Sequence, residues 1–314
     1  MLRKETIVIL LFTILIHFNL KGQTQLFNLT NDFYEYYILS KDLSNEFKVE
    51  CFNTKVYNNS PRVYEKIYND IKWIGQNPED RIIKSANSFK SIEIKYLELS
   101  RNLDTLFNYS LLSFQKVFID FNPDFDVYIL HSLGIRAGGL VQIQDKKALM
   151  FGVDQIVKLF DFQNYIPFIH HELTHIYHSL YYTPIEDGKY SAGTLYNNLW
   201  TEGLAVYTSS VLNLDASDKE IFMRDSLPQR VDKVLKIIAP DIIENLYSTD
   251  KEVIRKYFWE SSTDTVIPKT AGYYIGYLLV KEMANEYSLN ELIKLKEDIF
   301  VPKFEIILTN ICNL

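Results

Sequence analysis

The feature that most constrains this chain is a pair of histidines four residues apart, His171 and His175, in an apolar stretch with helical periodicity. Positions i and i+4 lie on one face of an α-helix, so both imidazoles can reach a single metal ion. Glu172 directly follows the first histidine and completes an HExxH motif. The spacing therefore predicts a helix that carries two zinc ligands and a general base beside a bound water.

The residues around the motif predict a helix with an apolar back, over about residues 162 to 182. Asp161 or Asn164 can cap its start, Pro167 is tolerated in its first turn, and Pro184 ends it. A helical wheel places the apolar residues on one side: Ile169, Leu173, Ile176, Tyr177 and Leu180. His171, His175 and His178 fall on the other side.

Two further histidines flank the ligand pair. His178 shares their face, and it either orients a ligand through a hydrogen bond or is simply packed or solvent-facing. His170 points about 100° away from His171 and is expected to be structural.

A catalytic zinc site with two histidines requires one more protein ligand, and Glu202 is the best candidate. It lies in a second stretch of helical character, 199–207, and Gly203 follows it. A glycine inside a helix costs stability, so close approach of another helix is its expected compensation. The metzincin pattern is excluded, because His178 and Tyr181 stand where it requires a glycine and a histidine.

A third segment, 271–277, carries two tyrosines beside two glycines. Gly272 and Gly276 are one helical turn apart and predict a smooth strip on which another helix can lie. A phenol beside a zinc site can donate a hydrogen bond to the oxyanion that develops on the attacked carbonyl. Tyr273 is the first candidate for this role and Tyr277 the second, and ordinary packing is the alternative for both.

Together these residues resemble zinc-dependent peptidases of the gluzincin type, in which HExxH on one helix precedes a glutamate on a second. The segments 202–205 and 271–277 most resemble a family of predicted zinc-dependent proteases. They are also similar to the related gliding-motility lipoprotein B, in which a Gly-Tyr-x-x-Gly-Tyr helix follows the glutamate helix. The resemblance covers about residues 125–290. The aspartate that thermolysin-type enzymes carry four residues after the glutamate is absent, since position 206 is Val.

The N-terminus predicts a secretory signal peptide over residues 1–22. Arg3 and Lys4 precede an apolar run that is shorter than the roughly 20 residues a membrane span needs, and Gly22 offers a small residue for cleavage. Export to the periplasm or the exterior is therefore expected. Leu20 and Lys21 depart from the ideal cleavage pattern, which leaves an uncleaved membrane tether as the alternative.

Composition narrows the class of protein. A hydrophobic fraction of 47% predicts a folded chain, and a formal net charge of −7 makes nucleic acid an improbable partner. No stretch after the N-terminal segment is long and apolar enough to cross a bilayer. Cys51 and Cys312 permit one disulfide in an exported protein, although their positions do not show that they meet.

The pattern along the chain predicts an α+β fold dominated by helices, with a small sheet before the HExxH helix as in zincins. Apolar spacing predicts helices around 29–43, 61–75, 88–118, 216–258 and 271–298, with breaks at Pro228, Pro240 and Pro268. Alternating segments predict strands at 127–133, 140–144 and 148–153.

The predicted organisation is a signal peptide at 1–22, a mostly helical part at 23–125 and a zincin-like catalytic domain at 126–314. The strand at 140–144 is a candidate edge strand that could pair with extended substrate, and an interior strand is the equal alternative.

The expected activity is hydrolysis of peptide bonds in a peptide or protein, with Zn²⁺ held by His171, His175 and Glu202 and with Glu172 as the base. The main alternative is an exported protein that keeps the zincin scaffold without catalysis, for envelope assembly or gliding-type machinery. A purely structural zinc is the weaker reading, since structural sites use four Cys or His ligands.

Overall fold

The structure, a computed structural model, describes residues 24–122, 124–184, 193–259 and 263–313. The predicted signal peptide lies outside the described residues. Helices dominate and one four-stranded sheet accompanies them, which confirms the predicted α+β class. None of the described helices combines the length and the apolar character that crossing a membrane requires.

The described residues before 118 are mostly helical. Their elements are β1 (Gln25–Asn28), α1 (Thr30–Ser40), α2 (Asn45–Phe52), α3 (Pro61–Trp73), α4 (Pro78–Ser88) and α5 (Glu93–Val117), with a π-helical turn at Asn53–Tyr57 and a 3-10 turn at Phe89–Ser91. Sequence reasoning missed β1, because it is four residues long and mostly exposed and so lacks the alternation that marks a half-buried strand.

The sheet contains the three predicted strands, observed as β2 (Asp126–Leu130), β3 (Leu140–Ile143) and β4 (Lys146–Gly152), together with β1. Its order is β1-β2-β4-β3, with β1, β2 and β4 parallel and β3 antiparallel to β4. Among the described strands β3 is therefore an edge strand. Because β1 pairs with β2, the predicted division at residue 125 separates strands that hydrogen-bond in one sheet.

Helices make up the rest of the described chain: α6 (Val153–Leu159), α7 (Ile166–Tyr181), α8 (Leu195–Leu212), α9 (Asp218–Phe222), α10 (Leu227–Asp232), α11 (Leu235–Asn245), α12 (Lys251–Phe258), α13 (Ala271–Met283), α14 (Leu289–Leu292) and α15 (Glu297–Asn313). The prediction that Pro240 bounds a helix is wrong, since Pro240 lies inside α11. Pro240 and Lys236 are both exposed, so water can satisfy the Lys236 carbonyl that the proline leaves without an N–H partner.

The HExxH helix, α7, begins four residues later than predicted. Its N-cap residue is Tyr165, which makes no side-chain cap hydrogen bond, so neither Asp161 nor Asn164 is the N-cap. The Asn164 side chain accepts a hydrogen bond from the Ile166 N–H at 2.9 Å, and the Asn164 backbone N–H donates to the Glu220 carboxylate at 2.8 Å. The helix ends at Tyr181, three residues before Pro184 and one residue before the predicted end. Four of the five residues on the predicted apolar face are buried. The fifth, Leu180 near the helix end, is 45% exposed, so the prediction that it belongs to the buried face is wrong.

Helix α8 packs against both α7 and α13, and glycines lie in its contact with α13. A Cβ on Gly203 would lie 2.3 Å from the Gly276 carbonyl carbon, so the backbones of α8 and α13 touch where both residues lack side chains. The predicted close approach at Gly203 is confirmed. Gly272 does not face α8: a Cβ there would meet the Phe258 ring of α12 at 2.4 Å.

The N-terminal part also packs directly on the motif helix. His170 lies 2.8 Å from the Ser113 hydroxyl of α5, and Asp120 accepts hydrogen bonds from the Tyr177 and Tyr181 hydroxyls, each at 2.6 Å. These contacts hold α7 against α5 and against the residues that follow α5. Cys51 and Cys312 are both free thiols in this structure.

Candidate metal centre and active-site cleft

Three predicted ligands converge at one point between α7 and α8. The Nε2 atoms of His171 and His175 are 3.1 Å apart, and Oε2 of Glu202 lies 3.2 Å from the first and 3.5 Å from the second. His171 and His175 come from successive turns of α7, whereas α8 supplies Glu202. The structure thus brings the three candidate ligands together.

The donor set fits zinc. Two imidazoles and a carboxylate are ordinary ligands of a catalytic site, and with bonds of about 2.0–2.1 Å in a tetrahedron the donor atoms should be about 3.3 Å apart. The observed separations of 3.1, 3.2 and 3.5 Å bracket that value. Oε2 of Glu202 and Nδ1 of His171 are buried and have no hydrogen-bond partner in the described part of the chain.

Electrostatics couple the ligands in the metal-free protein. Burial disfavours the charged form of His175, but the Glu202 carboxylate outweighs it and raises the pKa of His175 to about 9. Burial also opposes ionisation of Glu202, and His175 and His171 together outweigh it and lower the pKa of that carboxyl. A metal ion must displace the His175 proton, so its binding releases protons and strengthens as the pH rises.

Glu172 lies beside the ligands and is buried, and its Oε2 has no hydrogen-bond partner among the described residues. Burial raises its pKa, against the opposing charges of His171 and His175. A carboxyl with a raised pKa next to a metal site is suited to take up and return a proton.

Gly138 packs closely against the carboxyl of Glu172. It lies just before the edge strand β3, and a Cβ at this position would come within 2.4 Å of Glu172 Oε1 and 2.7 Å of the Phe168 ring. The sequence alone does not reveal this contact, because a glycine pair between two predicted strands is equally typical of a turn. A glycine next to a strand can also signal a close approach, which is its role here.

The two candidate tyrosines separate clearly. Tyr273 lines the cleft at the metal ligands, with its ring centroid 6.2 Å from that of His171. Tyr277 is one turn further along α13 and packs on Phe222 and Tyr207, with centroids at 5.2 and 6.1 Å. It is not among the described residues that line the cleft.

The remaining histidines of α7 make packing contacts. His178 is buried and stacks on Tyr182 with ring centroids 4.5 Å apart, and burial lowers its pKa to about 3. None of its described hydrogen bonds reaches His171 or His175. His170 is hydrogen-bonded to Ser110, Ser113 and Asn213, as a structural residue should be.

A cleft of about 600 Å³ opens over the ligand cluster. One side is formed by α7 and α8, and the other by the segment 135–140 that leads into β3. His171, Glu172, His175, Glu202 and Tyr273 all line it. The cleft therefore gives an extended molecule access to the base and to the ligand cluster at once.

Comparison with known families agrees with this geometry. Residues 114–302, more than half of the chain, match the family described as predicted Zn-dependent protease, DUF2268. The chain belongs to this family. No curated protein and no solved structure matches it. Family membership supports a zinc-dependent protease, and the matched region contains the HExxH motif, Glu202 and both candidate tyrosines.

Proposed function

We propose that this protein is a gluzincin-like zinc peptidase that hydrolyses peptide bonds in the cleft between α7, α8 and β3. The observation that carries the proposal is the convergence of His171, His175 and Glu202 within 3.5 Å of one another, beside the buried Glu172. These three residues would hold Zn²⁺. When bound, zinc supplies a Lewis acid that lowers the pKa of water and polarises a carbonyl.

Glu172 acts as the general base and then as the general acid. Its carboxylate accepts a proton from the attacking water, and the protonated carboxyl later donates that proton to the departing amine nitrogen. Burial favours the protonated form, which assists the second step. The missing side chain of Gly138 leaves the space that this carboxyl occupies.

Tyr273 donates a hydrogen bond to the oxyanion that forms on the attacked carbonyl. The Glu202 charge, then burial and the Glu172 charge, raise the pKa of this phenol well above its usual value. The hydroxyl therefore stays protonated at neutral pH and remains a donor. A single donor of this kind contributes about 3–4 kcal/mol to transition-state stabilisation.

The edge strand β3 offers backbone groups to the substrate. Its inner side pairs with β4, and Leu140, at its first position, lines the cleft. An extended peptide can add to the free side as a further strand, which would align it with Glu172. We also propose that the protein is exported, as its N-terminal sequence predicts.

Peptide cleavage by the zinc-loaded protein tests the proposal. The wild-type protein should cleave members of a degenerate peptide library, and Glu172→Gln should lower turnover by at least about a thousandfold while one zinc per chain stays bound. Mass spectrometry of the products and elemental analysis give the two readouts.

Two outcomes would contradict the peptidase. Equal turnover by Glu172→Gln would remove Glu172 from the reaction. No cleavage by a wild-type protein that holds one zinc would favour the exported scaffold without catalysis.

A further inference from the structure

Arg136 brings a positive charge to the cleft that the proposed reaction does not use. Among the described residues that line the cleft, Arg136 is the one with a permanent positive charge. It lies in the segment that leads into β3, two residues before Gly138.

The backbone around Arg136 is firmly held. The Ser132 hydroxyl donates to the Arg136 carbonyl at 3.0 Å, and the Gly152 N–H of β4 donates to the Ala137 carbonyl at 2.9 Å. A Cβ on Gly152 would lie 2.1 Å from the Arg136 carbonyl oxygen, so this segment packs directly on the sheet. The guanidinium is therefore displayed from a rigid element rather than from a free loop.

Only part of the guanidinium is engaged. Its Nη2 donates to Asp70 of α3 at 2.5 Å, while Nε is buried and has no acceptor among the described residues. Nη1 also has no described acceptor, and it lies beside Gly139, where a Cβ would come within 3.3 Å of it. The missing side chain of Gly139 leaves room beside Nη1.

Asp70 is the carboxylate that pairs directly with Arg136, and the charge of Arg136 also acts on the buried Glu172. Asp70 pairs with Lys66 as well, so this one carboxylate is shared between two cations. Guanidinium groups bind carboxylates with charge-assisted hydrogen bonds that are about twice as strong as neutral ones.

The distance to the base limits where a further carboxylate bound by Arg136 can belong. Gly138 contacts Glu172, and Arg136 is two residues away along the same segment. An extended chain advances about 3.3 Å per residue, so the separation corresponds to about two substrate residues. The carboxylate therefore lies within about two residues of the cleaved bond.

We propose that Arg136 forms a carboxylate subsite that selects peptides with a negative charge close to the cleaved bond. The carboxylate is either the C-terminus of the peptide or an Asp or Glu side chain. This inference rests on the proposed peptidase function, because it places the subsite in the same cleft.

Affinity selection tests the subsite without relying on turnover. Zinc-loaded Glu172→Gln protein is exposed to three hexapeptide libraries: free C-termini without acidic residues, amidated C-termini with Asp and Glu, and amidated C-termini without acidic residues. One of the first two libraries should be retained about tenfold or more over the third, as expected for one charge-assisted hydrogen bond. Which of the two is retained identifies the source of the carboxylate.

Three variants of the Glu172→Gln protein assign the preference to Arg136. Arg136→Gln should reduce the retention ratio to about one, and Arg136→Lys, which keeps the charge and can still pair with Asp70, should reduce it in part. Asp70→Asn removes the competing carboxylate and should keep or raise the ratio. A merely structural role predicts that Arg136→Gln and Asp70→Asn act alike.

The outcomes separate the subsite from the peptidase. Equal retention of all three libraries, no retention of any, or a ratio that Arg136→Gln and Arg136→Lys leave unchanged would overturn the subsite. Cleavage by the wild-type protein at equal rates in all three libraries would overturn the subsite alone. Selective retention by a zinc-loaded protein that never cleaves would support the subsite and overturn the peptidase.

Discussion

At the scale of single residues, neighbouring side chains of the same type have different surroundings because they face different parts of the molecule. Tyr273 and Tyr277 are one turn apart on α13, and periodicity alone could not separate them. Tyr273 points to the cleft near His171, whereas Tyr277 packs against Phe222 of α9. Which tyrosine faces the cleft depends on helices that are distant in sequence, so it could be read only from the structure.

Replacing the two tyrosines should therefore give unequal results. Tyr273→Phe removes the proposed oxyanion donor and should lower kcat by about a hundredfold to a thousandfold with little change in KM. Tyr277→Phe is the matched control and should change kcat by no more than a few fold. Steady-state kinetics on a cleaved library peptide give the answer, and equal losses in both variants would rule out the assignment.

At the scale of elements, local spacing predicts the two helices that carry the candidate ligands, α7 and α8. The HExxH helix, the Glu202 helix and the close approach at Gly203 all follow from residues within one or two turns of each other. The strand β1 and the contact between Gly138 and Glu172 join segments far apart in sequence, and no local pattern marks them. The start of α7 also depends on a distant residue, because the backbone N–H of Asn164 donates to Glu220 of α9. The sequence around the motif therefore predicts the start of this helix too early.

The contact between α8 and α13 should be sensitive to one methyl group. Gly203→Ala places a Cβ within 2.3 Å of the Gly276 backbone, which cannot move as a side-chain tip could. We expect a loss of about 1–3 kcal/mol in the free energy of unfolding, the usual cost of overpacking, and weaker zinc binding because Glu202 is displaced.

Urea unfolding and zinc titration measure both effects of Gly203→Ala. Ser210→Ala, a change to alanine on the same helix outside the contact, serves as the control. Unchanged stability in Gly203→Ala would mean that the helices are not in backbone contact.

At the scale of the whole molecule, the N-terminal part and the motif region share one core. His131 directly follows β2 and is buried against Phe33 of α1, with ring centroids 3.5 Å apart. The Leu133 N–H donates to its Nδ1 at 3.2 Å, which requires that nitrogen to be unprotonated. No local pattern in the sequence marks this contact between the two parts, because His131 and Phe33 are far apart along the chain.

Burial of His131 makes stability depend on pH. Burial lowers the pKa of His131 from 6.5 to about 4, even though Asp154 opposes the shift. The unfolded chain then binds more protons than the folded one between these values. The contribution of His131 is full above pH 6.5 and falls by about 3 kcal/mol as the pH drops to about 4.

Urea unfolding at pH 7.5, 6 and 5 measures this dependence. His131→Asn, whose side-chain oxygen can still accept a hydrogen bond, should lose less stability over the same interval than the wild type. A wild-type stability that is constant from pH 7.5 to 5 would show that His131 is not buried in its neutral form.

Zinc content tests the three-ligand centre most directly. Elemental analysis is made on the protein without residues 1–22, beside His175→Ala and Glu202→Gln, with His170→Asn as a control histidine that points away from the cluster. We predict one zinc per chain in the wild type and in His170→Asn, and a loss or sharp weakening in the two ligand variants. No bound zinc after zinc addition, or full retention by Glu202→Gln, would contradict the site formed by His171, His175 and Glu202.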